Sequence, residues 1–401
     1  KIRAILTADE EHEALEVVDY LRQHHEAGRP WSDMVVFYRM NALSRAMEEA
    51  LLKSSVPYQI ARGTAFYDRK EVRDAIGYLR VISNPDDEIG MLRIINTPTR
   101  GIGNTTIDHL RAYAVANNVT LWQAVQRPSQ VPALNNRAEN AVRRFAEMVG
   151  HWHDKLDTAQ SMLAYTPGVR DLVEMVIRDS GLEDFYKRED EEKLANLYEL
   201  VTAAQRFDDE YGEESADLKQ RLFDYLESVA LVADVDAVDP GAGAVTLMTL
   251  HAAKGLEFPV VAMIGLEEGI LPHSRSMDDP SEMEEERRLC FVGITRAERH
   301  LMLSLARYRT IRGMKERTIP SQFLRELPEQ TLQKEDLSGI TSAFGQDEDD
   351  LAPPARPAGS SGAAGANRVA KRAGLPPGSR VRHPQFGEGK VLNVSGVGGN
   401  A

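Results

Sequence analysis

The chain has 401 residues, enough for about two to three domains that each bury a core. Its 48 Lys and Arg stand against 62 Asp and Glu, a net charge of -14, which excludes a polycation that coats nucleic acid or a membrane with its whole surface. Any nucleic-acid surface has to be local. The single Cys290 excludes an internal disulfide and suits a cytoplasmic setting. No apolar run approaches the ~20 residues of a membrane span, so no membrane partner is expected. The chain opens at Lys1 with no Met and no signal-peptide pattern, as a piece of a longer protein would.

In chain order, Ile2 to Thr7 reads as a strand, and an acidic opening at Asp9, Glu10 and Glu11 leads into a helix with Ala14, Val17, Val18 and Leu21 on one face. Met34 to Tyr38 is a continuous apolar strand of the kind buried on both faces, and Leu43, Met47, Ala50 and Leu51 mark the next helix. Pro57 to Ile60 can form a strand, and Asp68 can cap a helix carrying Val72, Ala75, Ile76 and Leu79, which Asn84-Pro85 ends. From about 88 to 237 the alternation gives way to successive amphipathic helices, for example Val142, Phe145, Met148, Val149 and Trp152. Strands return at Val245 to Leu250, Pro259 to Ile264 and Leu301 to Leu305, with a helix from about Glu282 to Thr295 between the last two. The pattern predicts an α/β domain with a parallel sheet, formed by 1–87 and 238–330 and interrupted by an all-helical insert at 88–237. Residues 331–375 read as a disordered linker, and 376–401 as part of a small β-hairpin module around Gly387-Glu388-Gly389.

Four clusters can carry chemistry. In TLMTLHAAKGLEFPVV, a strand ends near Thr249 and His251, and Lys254, Gly255 and Glu257 follow in a turn. A Lys beside a Gly at the carboxyl end of a strand can approach a phosphate, and a nearby carboxylate can accept from ribose hydroxyls; a plain surface turn fits the same spacing. In EEERRLCFVGITRAER, Glu284 to Glu286 are expected in the first turn of a helix as solvated charge. Arg296 follows the stretch 291–294, expected to be buried, so its guanidinium can be aimed from a rigid element at a phosphate. From 287 to 317, nine Arg or Lys face two Glu, an excess that suits an anionic partner. Arg39 and Asn41 close the second strand, where they suit a nucleic-acid strand, although Asn41 is equally suited to cap the next helix. In TPTRGIGNTT, Gly101 and Gly103 allow a tight turn whose amides, with Arg100, can hold a duplex phosphate.

These motifs resemble the C-terminal half of UvrD/PcrA/Rep-type superfamily 1 DNA helicases. LMTLHAAKGLEF is similar to that family's fifth helicase motif and EEERRLCFVGITRAE to its sixth. FYRMNALSRAMEE, YDRKEVRDAIGYLRVISNPDD and TPTRGIG follow in the family's order, and VRHPQFGEGKVLNVSG resembles a Tudor-like tail. Leu43 stands where many relatives have Gln.

The resemblance implies a second RecA-like domain with a helical insert, working with ATP and Mg2+ in a 3′ to 5′ helicase active in repair or replication. It implies that Arg296 is a finger on the γ-phosphate and that Glu257 contacts the ribose, with Lys254 and Gly255 shaping that loop. It assigns Arg39, Asn41, Thr249, His251 and His273 to single-stranded DNA, and Arg100, Gly101 and Gly103 to duplex. No GxxxxGK[ST] loop and no Walker B acidic pair occurs in the 401 residues, so the magnesium ligands are expected in an N-terminal RecA-like half and this chain alone is expected to be inactive. RNA polymerase is a candidate partner of the tail. The alternative is a DNA-binding and protein-interaction module with no ATPase activity of its own.

Overall fold

The computed structural model describes residues 1–339, except 62, 159–167, 212–216, 234–242 and 312, together with 380–383 and 387–390. The chain forms two compact units, Lys1–Asp347 and Glu348–Ala401.

In the first unit, β1 (Ile2–Thr7), α1 (Glu10–Glu26), β2 (Met34–Tyr38), α2 (Ser44–Lys53) and β3 (Tyr58–Ile60) alternate as the periodicity predicts. Asp9 starts α1 by accepting from the His12 amide at 3.2 Å. Eight helices separate β3 from the next sheet strand after α3 (Lys70–Ser83): α4 (Glu88–Ile94), α5 (Asn104–Asn117), α6 (Leu121–Gln126), α7 (Asn136–Thr158), α8 (Val169–Asp179), α9 (Leu182–Glu189), α10 (Glu191–Tyr211) and α11 (Leu218–Ala233). Then follow β4 (Val245–Thr249), β5 (Phe258–Met263), α12 (Pro280–Ile294) and β6 (Ala297–Ala306). An antiparallel hairpin of β7 (Tyr308–Ile311) and β8 (Met314–Arg317), a short α13 (Gln322–Arg325) and β9 (Leu332–Asp336) complete the unit.

Seven strands form one sheet in the order β3-β4-β2-β5-β6-β1-β9, and every pairing is parallel. All five β2 side chains are buried because both faces of the sheet are covered. Met34, Val36 and Tyr38 pack with Val17, Leu21 and Leu51 of α1 and α2. Their neighbours Val35 and Phe37 point the other way, toward Cys290 of α12 and Phe323 of α13. Gly293 allows the α12 contact: a Cβ there would lie 2.5 Å from Leu250 and 2.9 Å from Met263.

The helices own a separate core that runs from Phe66 to Val229 and includes Val142, Phe145, Val149 and Trp152. Helix α3, placed by its sequence in the first α/β stretch, turns Val72, Leu79 and Ile82 into this helical core. Between the helical and sheet cores lies a polar seam. Buried Arg45 donates to Glu199 of α10 at 2.6 Å and to Glu49 at 2.9 Å, and Arg69 donates to Asn196 at 2.9 Å.

Three expectations change. Asp68 does not cap α3, because it ends a 3-10 turn (Phe66–Asp68) and Arg69 occupies the cap position without a side-chain bond. The stretch assigned to a linker from 331 begins with β9, which extends the sheet by pairing with β1; its alternation is too polar to read as a strand because an edge needs little apolar surface. Residues 340–379 lie outside the described residues. In the second unit, Arg380–His383 pairs antiparallel with Gly387–Lys390, so Gly387-Glu388-Gly389 lies within a strand rather than at the turn.

Candidate functional site

Polar residues gather at both edges of the sheet. At the carboxyl edge, Tyr38 and Thr249 are paired across β2 and β4, which brings Arg39 beside Thr249 and His251 on the following 3-10 turn. The chain leaving β5 returns past Gly269 to His273, whose Nδ1 accepts from the Arg275 amide at 3.3 Å. Arg39, Asn41, Thr249, His251 and His273 all line one cleft of about 1160 Å³.

Glu286 is central to this edge and was read from sequence as solvated charge. Helix α12 begins at Pro280, so only Glu282 lies in its first turn, and Glu286 turns inward and is 5% exposed. Its Oε1 accepts from Arg39 Nε at 3.0 Å and Nη2 at 2.7 Å, while Oε2 accepts from Arg39 Nε at 3.0 Å and from the His273 amide at 3.0 Å. Burial alone would push the Glu286 carboxyl up, but hydrogen bonds from Arg39 and its charge hold it below the usual range. Burial, and then the Arg39 charge, push both His251 and His273 down, so their rings favour the neutral form. The Glu-Glu-Glu run hid this role, because only the helix phase distinguishes the one inward carboxylate from its neighbours.

Asn41 does not cap α2. It opens a 3-10 turn, and its side-chain amide donates to Glu192 at the start of α10. Arg275 likewise pairs with Glu191. The basic excess from 287 to 317 is largely answered by carboxylates. Arg309 is buried between Glu267 and Glu13, each at 2.6 Å, Arg307 meets Asp336 at 3.1 Å and Arg287 meets Glu326 at 3.1 Å. Among the described residues, these three arginines are turned to carboxylates, while Arg288, Arg299, Lys315 and Arg317 stay exposed.

At the amino edge, Phe258 pairs with Ala297, which sets Glu257 and Arg296 side by side just before β5 and β6. The turn from Lys254 leaves the carboxyl end of β4, but Glu257 has already crossed to the amino end of β5, not the carboxyl end that a ligand turn suggests. With six residues in β5, the two edges lie roughly 20 Å apart. Arg296 Nη1 donates to the Leu256 carbonyl at 3.1 Å and lies 3.8 Å from Glu257 Oε1. Its Nε donates to the Val292 carbonyl at 3.1 Å and its Nη2 to Thr295 Oγ1 at 3.1 Å. The preceding stretch is not uniformly buried: Phe291 is 64% exposed and only Gly293 of 291–294 is buried. Gly255 has φ +84°, with open space where a Cβ would stand.

The third cluster stands apart, in the helical region. Asn96 Oδ1 accepts from the amides of Arg100 at 2.7 Å and Ile102 at 3.2 Å, and Gly101, at φ +81°, makes the turn. The Arg100 guanidinium points inward, donating to the carbonyls of Ser180 at 2.7 Å, Pro98 at 3.0 Å and Ile94 at 3.2 Å. Gly101 and Gly103 remain exposed before α5. Among the described residues no group of three or more His, Cys, Asp or Glu could hold a metal ion, and no helix is long and apolar enough to cross a membrane.

A parallel sheet covered on both faces, with polar loops at both edges, makes the α/β unit a RecA-like domain. The family model described as UvrD-like helicase C-terminal domain matches residues 1–308, and the chain belongs to that family. It is 40% identical over 390 residues to DNA helicase II of Escherichia coli (strain K12), covering 96% of this chain and 51% of that protein. It is 36% identical over 391 residues to ATP-dependent DNA helicase PcrA of Bacillus subtilis (strain 168), covering 95% and 51%. ATP-dependent DNA helicase UvrD1 of Mycobacterium tuberculosis (strain ATCC 25618 / H37Rv) is 38% identical over 423 residues, covering 98% and 52%. The chain thus spans about half the length of the curated relatives it matches.

Proposed function

We propose that this chain is the C-terminal part of an ATP-dependent DNA helicase that moves 3′ to 5′ on single-stranded DNA and unwinds duplex. The observation that carries this is the pair of polar clusters at opposite edges of one sheet, both attached to α12 through Glu286 and Arg296. In this reading 1–87 and 238–330 form the second RecA-like domain and 88–237 the inserted helical domain; the separate helical core supports an inserted domain, and because that core takes in α3 it begins near Phe66 rather than at 88.

ATP with Mg2+, when bound, supplies the phosphoanhydride whose hydrolysis drives movement. The amino edge fits one side of such a nucleotide, because a guanidinium, an exposed carboxylate and an open left-handed glycine stand together. Arg296 would face the γ-phosphate and offset its developing charge, Glu257 would accept from ribose hydroxyls, and Lys254 and Gly255 would shape the turn. Magnesium ligands are assigned to the N-terminal RecA-like half of the parent. At the carboxyl edge, Arg39 and Asn41 would contact the strand's backbone, with Thr249, His251 and His273 lining the track. Gly101 and Gly103 would offer backbone amides to duplex, while Arg100 braces their loop from within. The tail is assigned to a protein partner, RNA polymerase being the candidate, in a cytoplasmic enzyme of repair or replication.

Titration of the 401-residue chain with oligo-dT at several salt concentrations tests the track. Arg39→Ala should weaken binding and lower the salt slope by about 0.7, one phosphate contact on a single strand. An unchanged affinity and slope would remove Arg39 from the track. The second reading, a binding module without ATPase activity, is favoured by the lack of a GxxxxGK[ST] loop in these residues. ATP turnover by the isolated chain would rule that module out.

A further inference from the structure

A long flexible Arg at the mouth of a cleft makes a poor fixed contact, since ordering its side chain opposes binding. Arg39 is not flexible here. Two of its three guanidinium nitrogens, Nε and Nη2, are engaged by Glu286, and Nη1 has no protein partner among the described residues. The same carboxylate accepts from the His273 amide, so one buried group holds a residue after β2 and the loop after β5 in a single arrangement.

Resting on the reading of this cleft as a single-strand track, we propose that Glu286 is a positioning residue for DNA binding: it aims the Arg39 guanidinium and fixes the His273 loop before the strand arrives. Its position on α12, ten residues before Arg296, ties that grip to the element leading to the amino-edge site. Charge alone makes the opposite prediction. A carboxylate beside a phosphate-binding Arg repels DNA, so its removal would tighten binding if Glu286 contributed only charge. It would leave the affinity of the folded chain unchanged if Glu286 served only the fold.

The test is oligo-dT binding by the full 401-residue chain, followed by fluorescence anisotropy beside thermal unfolding of each variant. Glu286→Gln should weaken binding about three- to tenfold, the effect of one less ordered side chain. In an Arg39→Ala background the same change should add at most about twofold, because the two residues act as one unit. Arg39→Lys keeps the charge but loses the two-pronged hold, and should bind nearly as weakly as Arg39→Ala. Equal or tighter binding by Glu286→Gln overturns the proposal, as does full additivity with Arg39→Ala. If Glu286→Gln does not fold, Arg39→Lys decides: wild-type affinity overturns the proposal and loss supports it. If Arg39→Ala itself binds like wild type, the track reading fails as well, and that outcome differs from Glu286→Gln failing alone.

Discussion

Arg39 and Arg296 show how much a residue's neighbours decide. Both follow or precede a sheet strand, yet a buried carboxylate grips the first while main-chain carbonyls hold the second, with Glu257 beside it. Sequence placed both arginines in motifs, but not Glu286, since spacing in a run of three Glu does not show which faces inward. Arg100 shows the converse: a Gly-rich turn suggested a phosphate contact, and the fold spends its guanidinium on three carbonyls. In the last turn of α1, burial together with His300 and Arg29 pushes His24 down from 6.5 to about 4. Its folded value lies below its unfolded one, so the neutral ring stabilises the fold fully above about pH 6.5 and that contribution is lost as pH falls toward 4. Thermal midpoints should therefore drop less steeply between pH 7 and 5 in His24→Gln than in the wild type. Parallel curves would contradict the assignment.

At the scale of elements, β1 and β2 were legible to the residue, β2 because its continuous apolar run marks a strand buried on both faces and β1 because a short β-rich run leads straight into an acidic helix start. The β7-β8 hairpin and β9 were not, for their polar alternation carries no burial signal; β8 is exposed throughout and β9 lies at a sheet edge. Helix α12 joins the two candidate sites, and its approach to the sheet depends on Gly293. Gly293→Val should push α12 away from Leu250 and Met263 and cost about 1–3 kcal/mol, measured by urea unfolding. It should also weaken oligo-dT binding although no DNA contact is removed, because Glu286 moves with the helix. Wild-type stability would show that the close packing at this glycine carries no weight.

For the whole molecule, net charge and length described the average and concealed the arrangement. The acidic excess is compatible with a DNA partner because the polar clusters are local. Within the basic stretch after α12, Arg307 pairs with Asp336 of β9 and Arg309 with Glu13 of α1 and Glu267, so these two cations are spent inside the fold. Two separate edges require separable functions. The direct measurement is ATP turnover and oligo-dT affinity in a helicase joining this chain to the N-terminal half of Escherichia coli DNA helicase II. Arg296→Ala should lower DNA-stimulated turnover about 1000-fold, the scale of an arginine finger, while affinity stays within about twofold. Arg39→Ala should weaken affinity and retain turnover at saturating DNA. Wild-type turnover in Arg296→Ala, or loss of both properties together in each variant, would contradict the assignment of nucleotide and DNA to opposite edges.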